Sequence, residues 1–350
     1  MLYIVTGASG HLGNNLVRLL KMNKEDVRVL VLPNENSDIL NNLGVDIVYG
    51  NVLNKDSLYA LFDLSKSTYT YDDVIVIHTA GIISISSRKD QFMEKVNVLG
   101  TKNMLDLSMA YNIKQFIYIS SVHAIPEKPN HELITEVTEF DPALVKGSYA
   151  KTKAIASNLV MDAYKQGFPI TIVHPSGIIG PYDYKKGYMT QMIMMYLNKE
   201  LSTRIEGQYD FVDVRDVSEG IYKLASNYHL GTYILSGHLI SLKKLFLILK
   251  TLSGRKRKTA VVSSWFVKIF IPLFSLIGRI YKKPPLFTNY SLYTLKSNSN
   301  FSHQKASFTI NYHPRPIDET IKDTALWLIS EKKLKKPSII SFILKKSNEN

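Results

Sequence analysis

The stretch that most limits what this chain can fold into is Thr6 to Gly13, Thr-Gly-Ala-Ser-Gly-His-Leu-Gly, set directly after the apolar run Leu2 to Val5. Leu16, Leu19 and Leu20 then recur at helical spacing, so the glycines stand where a buried strand passes into a helix. Gly7 allows a tight turn, Gly10 lets backbone N–H groups approach a pyrophosphate with no Cβ in the way, and Gly13 lets the helix pack closely on the strand. The helix N-terminus adds the positive end of a dipole. Alone, a glycine pattern of this kind also marks ordinary turns.

A second motif, Tyr149-Ala150-Lys151-Thr152-Lys153, lies in a predicted helix. Residues four apart share a helix face, so the Tyr149 hydroxyl and the Lys153 ammonium can act on one ligand. With 21 tyrosines and 43 lysines plus arginines in the chain, such a pair also arises by accident; following the glycine turn in this order, it is far more specific. Ser120-Ser121 closes an apolar strand, and Phe211-Val212-Asp213-Val214-Arg215-Asp216-Val217 follows later.

Together these motifs resemble those of the extended short-chain dehydrogenases/reductases, also catalogued as the NAD-dependent epimerase/dehydratase family, in the branch of dihydroflavonol reductase-like and 3β-hydroxysteroid dehydrogenase-like proteins. The resemblance implies an α/β fold: a Rossmann-type doubly wound parallel sheet with a smaller, mostly helical C-terminal substrate lobe. It assigns 1–180 to dinucleotide binding, with the sheet completed by 208–240, and 181–330 to an interleaved substrate lobe; 331–350 is a basic and apolar tail outside the likeness. It also implies that Gly7, Ser9, Gly10, His11, Leu12 and Gly13 meet the cofactor, joined by Asn51, Val52, Ala80 and Pro175. Ser121, Tyr149 and Lys153 become the catalytic residues, the last two touching cofactor as well.

Between the motifs the chain alternates in the expected way. Val27 to Leu32 and Asp46 to Tyr49 read as the second and third strands, Val74 to Ile77 as the fourth, Gln115 to Ile119 as the fifth and Pro169 to Val173 as the sixth. The end of the second strand offers neither a carboxylate for a ribose hydroxyl nor an arginine for a 2′-phosphate. Glu35 is the first acid after it, already in the loop, so the cofactor is NADP or NAD, leaning to NADP because nothing evident repels its phosphate. Gly50-Asn51-Val52 stands where relatives carry Gly-Asp-hydrophobic beside the adenine. His78 reads as a turn histidine satisfied by backbone, Asn97 as a brace for the central helix, and Asp216 as the N-cap of the helix through Leu224. Asp210 to Val217 is expected to return the chain to the sheet, methionine-rich Met189 to Met195 to be helical, and Ser241 to Leu252 and Val261 to Tyr281 to be helices of the lobe.

The resemblance implies a mechanism. Tyr149 exchanges a proton with the substrate oxygen while hydride moves to or from the nicotinamide, Lys153 holds the ribose and lowers the Tyr149 pKa, and Ser121 hydrogen-bonds the carbonyl. The expected activity is that of a reductase or dehydrogenase acting on a ketone or secondary alcohol of a fairly apolar small molecule. Nucleotide-sugar epimerisation or dehydration is the alternative. Dehydratases of this family carry an acidic pair after the serine or threonine, where Val122-His123 stand here, and sugar-nucleotide enzymes place arginine before the Phe-Val-x-Val segment, where Tyr209-Asp210 stand. A third reading, a dinucleotide-sensing regulator without turnover, conflicts with the presence of both tyrosine and lysine.

Composition excludes other chemistries. With no cysteine there is no disulfide, thiolate metal site or cysteine nucleophile, and the nine histidines are scattered, so no metal cluster is expected. The first residues already form strand and turn, which leaves no room for a secretory signal and points to a cytoplasmic protein. Charge is uneven: residues 1–240 carry net −3, whereas 241–350 hold 21 basic and 5 acidic residues, net +16. The expected partner is a small-molecule substrate and no nucleic acid, with a homodimer left open. Trp265 to Phe274 and the tail Ile339 to Lys346 read first as core-packing helices, and second as a surface resting on anionic lipid. The longest uncharged stretch there, Ile269 to Gly278, is too short to span a bilayer.

Overall fold

In the computed structural model, which describes residues 1–84, 90–129, 131–256, 259–269, 271 and 288–348, the first apolar run becomes β1 (Leu2–Thr6), hydrogen-bonded between β2 (Asp26–Val31) and β4 (Val74–His78). With β3 (Asp46–Tyr49), β5 (Gln115–Ile119), β6 (Ile170–Pro175) and β10 (Gly231–Leu235), they form a parallel seven-stranded sheet in the order β10-β6-β5-β4-β1-β2-β3. Every residue of β1, β4, β5 and β6 is buried, which is why these strands are apolar runs rather than alternating ones. One face packs on α1 (His11–Met22) through Leu16 and Leu20; the other packs on α2 (Gly100–Ala110) and α3 (Ser148–Lys165) through Met104, Ala154 and Val160.

Strand order reverses between β1 and β4, opening a crevice at the carboxyl edge of the sheet. Gly7 leaves β1 and Thr79-Ala80 leave β4 on opposite sides of it. They approach so closely that a Cβ at Gly7, where φ is +72°, would lie 2.7 Å from the Ala80 nitrogen. His78 ends β4 instead of lying in the turn. Its ring is held by side chains, not by backbone: Thr6 Oγ1 at 2.7 Å and Thr101 Oγ1 at 3.1 Å.

The lobe is built on a second sheet. β7 (Gly177–Ile179) pairs parallel with β9 (Gln208–Asp213), which pairs antiparallel with β11 (His238–Ser241). The segment expected to rejoin the main sheet therefore lies in this smaller one, and β10 supplies the seventh main strand. Glycine permits the arrangement, since a Cβ at Gly237 would stand 2.2 Å from the Phe211 carbonyl oxygen. A two-residue strand β8 (Thr203–Arg204) pairs with β12 (Ala260–Val261). Around these pack α4 (Tyr188–Leu197), α6 (Leu242–Ser253) and a turn of helix at 264–269, α7, whereas α5 (Val214–Ser226) packs beside α1 on the main sheet through Val217, Ile221 and Leu224. Val261 is in a strand, so the helix expected from there begins later; its part beyond 271, with Pro272 to Phe274, lies outside the described residues. Then come α8 (Asn289–Thr294), α9 (Ile317–Ser330) and α10 (Pro337–Asn348). The tail is thus a helix whose Ile339 and Ile343 enter the lobe core beside Leu245 and Leu249.

An ionic network ties the late chain to α5. Asp213, not Asp216, caps this helix, because Asp213 holds the extended backbone just before Val214 and accepts from the Arg215 N–H at 2.8 Å. Asp216 sits in the first turn, and its carboxylate accepts from the Arg315 side chain at 2.8 Å. Arg215 pairs with Asp213 and with Asp323 on α9, both at 2.7 Å.

Candidate active site

The glycine turn opens the site. Gly10 donates its N–H to the Gly7 carbonyl at 2.9 Å and stands as N-cap of α1, where no side chain caps the helix and no acid occupies the first turn. The first N–H groups of α1 are thus offered to a ligand, and the dipole favours an anion. A Cβ at Gly13 would lie 2.3 Å from the Gly7 carbonyl oxygen, so this glycine is required by the turn itself. His11 binds the Pro181 carbonyl at 3.0 Å, which anchors the turn to the segment after β7. Leu12 is buried in the core beneath the sheet, and Ser9 stands close enough to Glu35 to favour its carboxylate form.

Farther along the crevice, Asn51 closes its own turn, its Oδ1 accepting from the Leu53 N–H at 2.9 Å. Val52 packs against Gly100, where a Cβ would come within 2.7 Å of it. Ala80 stands over the glycine turn, donating its N–H to Thr6 Oγ1 at 3.3 Å. Pro175 ends β6. Asn97 lies in a π-helical turn, Lys95–Leu99, just before α2; it bonds both backbone groups of Ile82 and donates to Thr152 Oγ1 at 3.0 Å. It thereby fixes α3 against the loop that follows β4.

β5 delivers Ser121 to the same edge, and the helix α3 brings Tyr149 and Lys153 to it. Ser121 stands near enough to the Tyr149 phenol to favour its ionised form. Tyr149 and Lys153 are both buried, at 7% and 5% exposure. Lys153 Nζ donates to the Ile119 carbonyl at 2.7 Å and lies 4.9 Å from the centre of the Tyr118 ring. A Cβ at Gly81 would be 3.5 Å from that nitrogen, so the lysine reaches the loop of Ala80. Burial lowers the Lys153 pKa to about 7. Burial also raises Tyr149 to about 12, with Ser121 pulling the other way. Desolvation dominates both groups, disfavouring the phenolate and the ammonium alike.

Three aromatic residues that the sequence did not single out for chemistry complete the surroundings. His123, whose N–H bonds Ser121 Oγ at 3.2 Å, shares a 2.8 Å hydrogen bond between its Nε2 and the Tyr209 hydroxyl. Its ring stacks on Tyr209, meets Tyr149 edge-on at 6.3 Å and faces Tyr290 of α8 at 5.8 Å. The Tyr290 ring approaches Gly147, where φ is +97° and a Cβ would lie 2.3 Å from it. His123 and Tyr209 are two of the positions that depart from the acid and arginine patterns of sugar-nucleotide enzymes; that departure was their signal. Tyr290 had none. Burial lowers the His123 pKa to about 4, so the imidazole is neutral at pH 7.

Comparison with known proteins agrees with this architecture. A profile of the NAD dependent epimerase/dehydratase family matches residues 3–234. The chain is 25% identical over 333 residues to sterol demethylase protein B of Methylococcus capsulatus, covering 93% of this chain and 98% of that protein. It is 23% identical over 346 residues to the decarboxylating sterol-4-alpha-carboxylate 3-dehydrogenase of Schizosaccharomyces pombe, covering 93% and 97%. Among solved structures, gox2253 superposes with a TM-score of 0.79 at 26% identity, over 95% of this chain and 99% of that one.

The buried lysine predicts a pH dependence. Folded Lys153 releases its proton near 7 and an unfolded lysine at 10.5. Across that window the unfolded chain holds the extra proton, so stability should climb with pH. Denaturant melts of cofactor-free protein at about pH 7 and about pH 9 should show the rise in the wild type and a flatter profile in Lys153→Met. Parallel profiles for the two proteins would contradict the assignment.

Proposed function

The chain belongs to the NAD dependent epimerase/dehydratase family, and on that premise we propose that it is an oxidoreductase moving hydride between a nicotinamide dinucleotide and a secondary alcohol or ketone of a sterol-like molecule. The observation that carries this reading is the convergence of Ser121, Tyr149 and buried Lys153 at the edge of the sheet that also carries the glycine turn, with Ser121 favouring ionisation of the Tyr149 phenol and Lys153 held by the Ile119 carbonyl. The residues present fit the cofactor. The uncapped start of α1 and the space left by the missing Cβ of Gly10 suit a pyrophosphate, with Ala80 and Lys153 on the ribose and Pro175 toward the nicotinamide. When bound, the dinucleotide supplies or accepts the hydride.

The chain's own groups handle the proton. Ser121 donates to the substrate oxygen and fixes it against Tyr149. In oxidation the Tyr149 phenolate takes the hydroxyl proton as the carbon loses hydride and the C=O bond forms; in reduction the phenol returns it. Lys153, once its ammonium form is stabilised by ligand oxygens, favours the phenolate. The aromatic wall of His123, Tyr209 and Tyr290 excludes water and suits an apolar ring system. Tyr209 stands where a diphosphate-binding arginine would serve a nucleotide sugar, and its hydroxyl is committed to His123. The sterol-related names of two full-length relatives support the same substrate class.

Cofactor choice follows from Glu35. Burial raises its pKa, but Lys185 and Ser9 more than offset this and keep it low, so it is an anion beside the glycine turn. We assign it to a ribose 2′-hydroxyl and propose NAD, against the NADP lean drawn from β2 alone; paired to Glu35, Lys185 leaves no uncompensated cation for a 2′-phosphate. Fluorescence titration should find NADH bound more tightly than NADPH, with the gap narrowed in Glu35→Gln. Tighter NADPH binding by the wild type would contradict the role.

Turnover is tested by offering NAD with 3-hydroxysteroids and, separately, nucleotide sugars. Reduction of the cofactor is expected with the steroids, and Tyr149→Phe should lower kcat by about 10³-fold while dinucleotide affinity stays within a few-fold. Conversion of nucleotide sugars alone, or an unchanged rate in Tyr149→Phe, would defeat the proposal.

A further inference from the structure

The substrate lobe carries a surface unlike the rest of the molecule. From Gly220 through Ile317 the sequence contains no aspartate or glutamate. Within that span the strand β12 and the helix α7 expose apolar side chains: Trp265 is 64% exposed, Ile269 59% and Val261 50%. Phe266, also exposed, sets its ring edge-on to Trp265 at 6.1 Å. Trp265 and Ile269 are four residues apart and share one face of the helical turn, while Val267 on the other side is buried in the lobe core. Among the described residues, Val267 packs the inward face into the lobe core, whereas Trp265 and Ile269 lie outside that core. Lys256 and Lys268 are exposed on the same segment. On α6, whose Leu245 and Leu249 enter the same core as Val267, exposed Leu247 follows exposed Lys243 and Lys244.

We propose that this face of the lobe is a docking surface for an anionic lipid bilayer, with Trp265 and Ile269 entering the headgroup region and the nearby lysines facing lipid phosphates. The chemistry decides among partners. A tryptophan beside a phenylalanine and an isoleucine is suited to the boundary between headgroups and acyl chains, where an amphipathic ring finds both an apolar and a wet neighbour. Lysines around them are attracted to anionic headgroups. Nucleic acid would use the lysines but leave the apolar side chains in water. A second copy of the chain would set one lysine-bearing face against another, which like charge disfavours. Attachment is peripheral: among the described residues no helix is long and apolar enough to cross a membrane. After Ile271 and the undescribed segment, the chain reaches α8, which sets Tyr290 against His123 and Gly147. The docking face and the wall of the candidate active site thus belong to neighbouring stretches of one lobe.

The full-length protein reports on this directly, because Trp327 is buried and Trp265 is the tryptophan exposed to solvent. With vesicles of mixed phosphatidylglycerol and phosphatidylcholine at low salt, tryptophan emission should shift to the blue and be quenched by brominated lipid. Neither change should occur with phosphatidylcholine alone, and high salt should reverse binding. Trp265→Phe should keep sedimenting with the vesicles while losing the spectral change. Trp265→Ser with Ile269→Ser should abolish sedimentation, and each lysine removed among Lys256 and Lys268 should weaken partitioning roughly fivefold. Circular dichroism and dinucleotide binding confirm that these surface variants remain folded. Equal recovery in the supernatant with anionic and neutral vesicles at low salt would overturn the proposal. So would a lipid-independent, concentration-dependent dimer whose formation shields Trp265, since the face would then belong to a second copy.

Discussion

Burial of a tyrosine and a lysine on one turn of helix is the constraint around which this molecule is arranged. Water stabilises a phenolate and an ammonium; the interior of an α/β sheet stabilises neither, so Tyr149 is pushed to about 12 and Lys153 to about 7. The protein has not left the pair without support. Ser121 meets the phenol, the Ile119 carbonyl accepts from the amine, and Asn97 pins their helix through Thr152. What these contacts do not supply is compensating charge. On the proposed function, a bound dinucleotide would supply it, so that the fold places the two groups and the ligand would ready them for chemistry.

The rest of the architecture serves that placement through close backbone approaches. Gly7 lets β1 and β4 part with Ala80 almost touching the turn, Gly13 seats α1 on it, and Gly147 admits the Tyr290 ring at the mouth of α3. The second sheet makes the other wall: β9 hands Tyr209 to His123, and its final residue, Asp213, begins α5 and the ionic network that fastens Arg315 and the closing helices. The second sheet, the start of α5 and the closing helices are therefore joined by charge as well as by packing.

Much of this could be read in the sequence where a local pattern has one structural meaning. The apolar runs at 46–49 and 115–119 are strands with the expected limits, and the methionine-rich segment is a helix, because periodicity and flanking turns agree there. Phe211 to Asp213 was legible as a strand but not as a strand of the second sheet, since an apolar run does not name its neighbour. Asp213 and Asp216 both precede valine, and only the backbone at Asp213 and the arrival of Arg315 from 99 residues away separate cap from ion pair. His123 and Tyr209 are 86 residues apart, a separation at which no spacing rule operates. Glu35 was visible but its reach to Ser9 depended on the fold of a loop.

The most direct test of this account is the ionisation of Tyr149 itself, followed as the ultraviolet difference titration of wild type minus Tyr149→Phe. Without dinucleotide the difference should titrate near 12. With saturating NAD in its oxidised form it should move down by about two units or more, as the bound cation and the recharged Lys153 favour the phenolate. An identical titration with and without NAD would mean that the ligand does not complete the site, and would contradict the account.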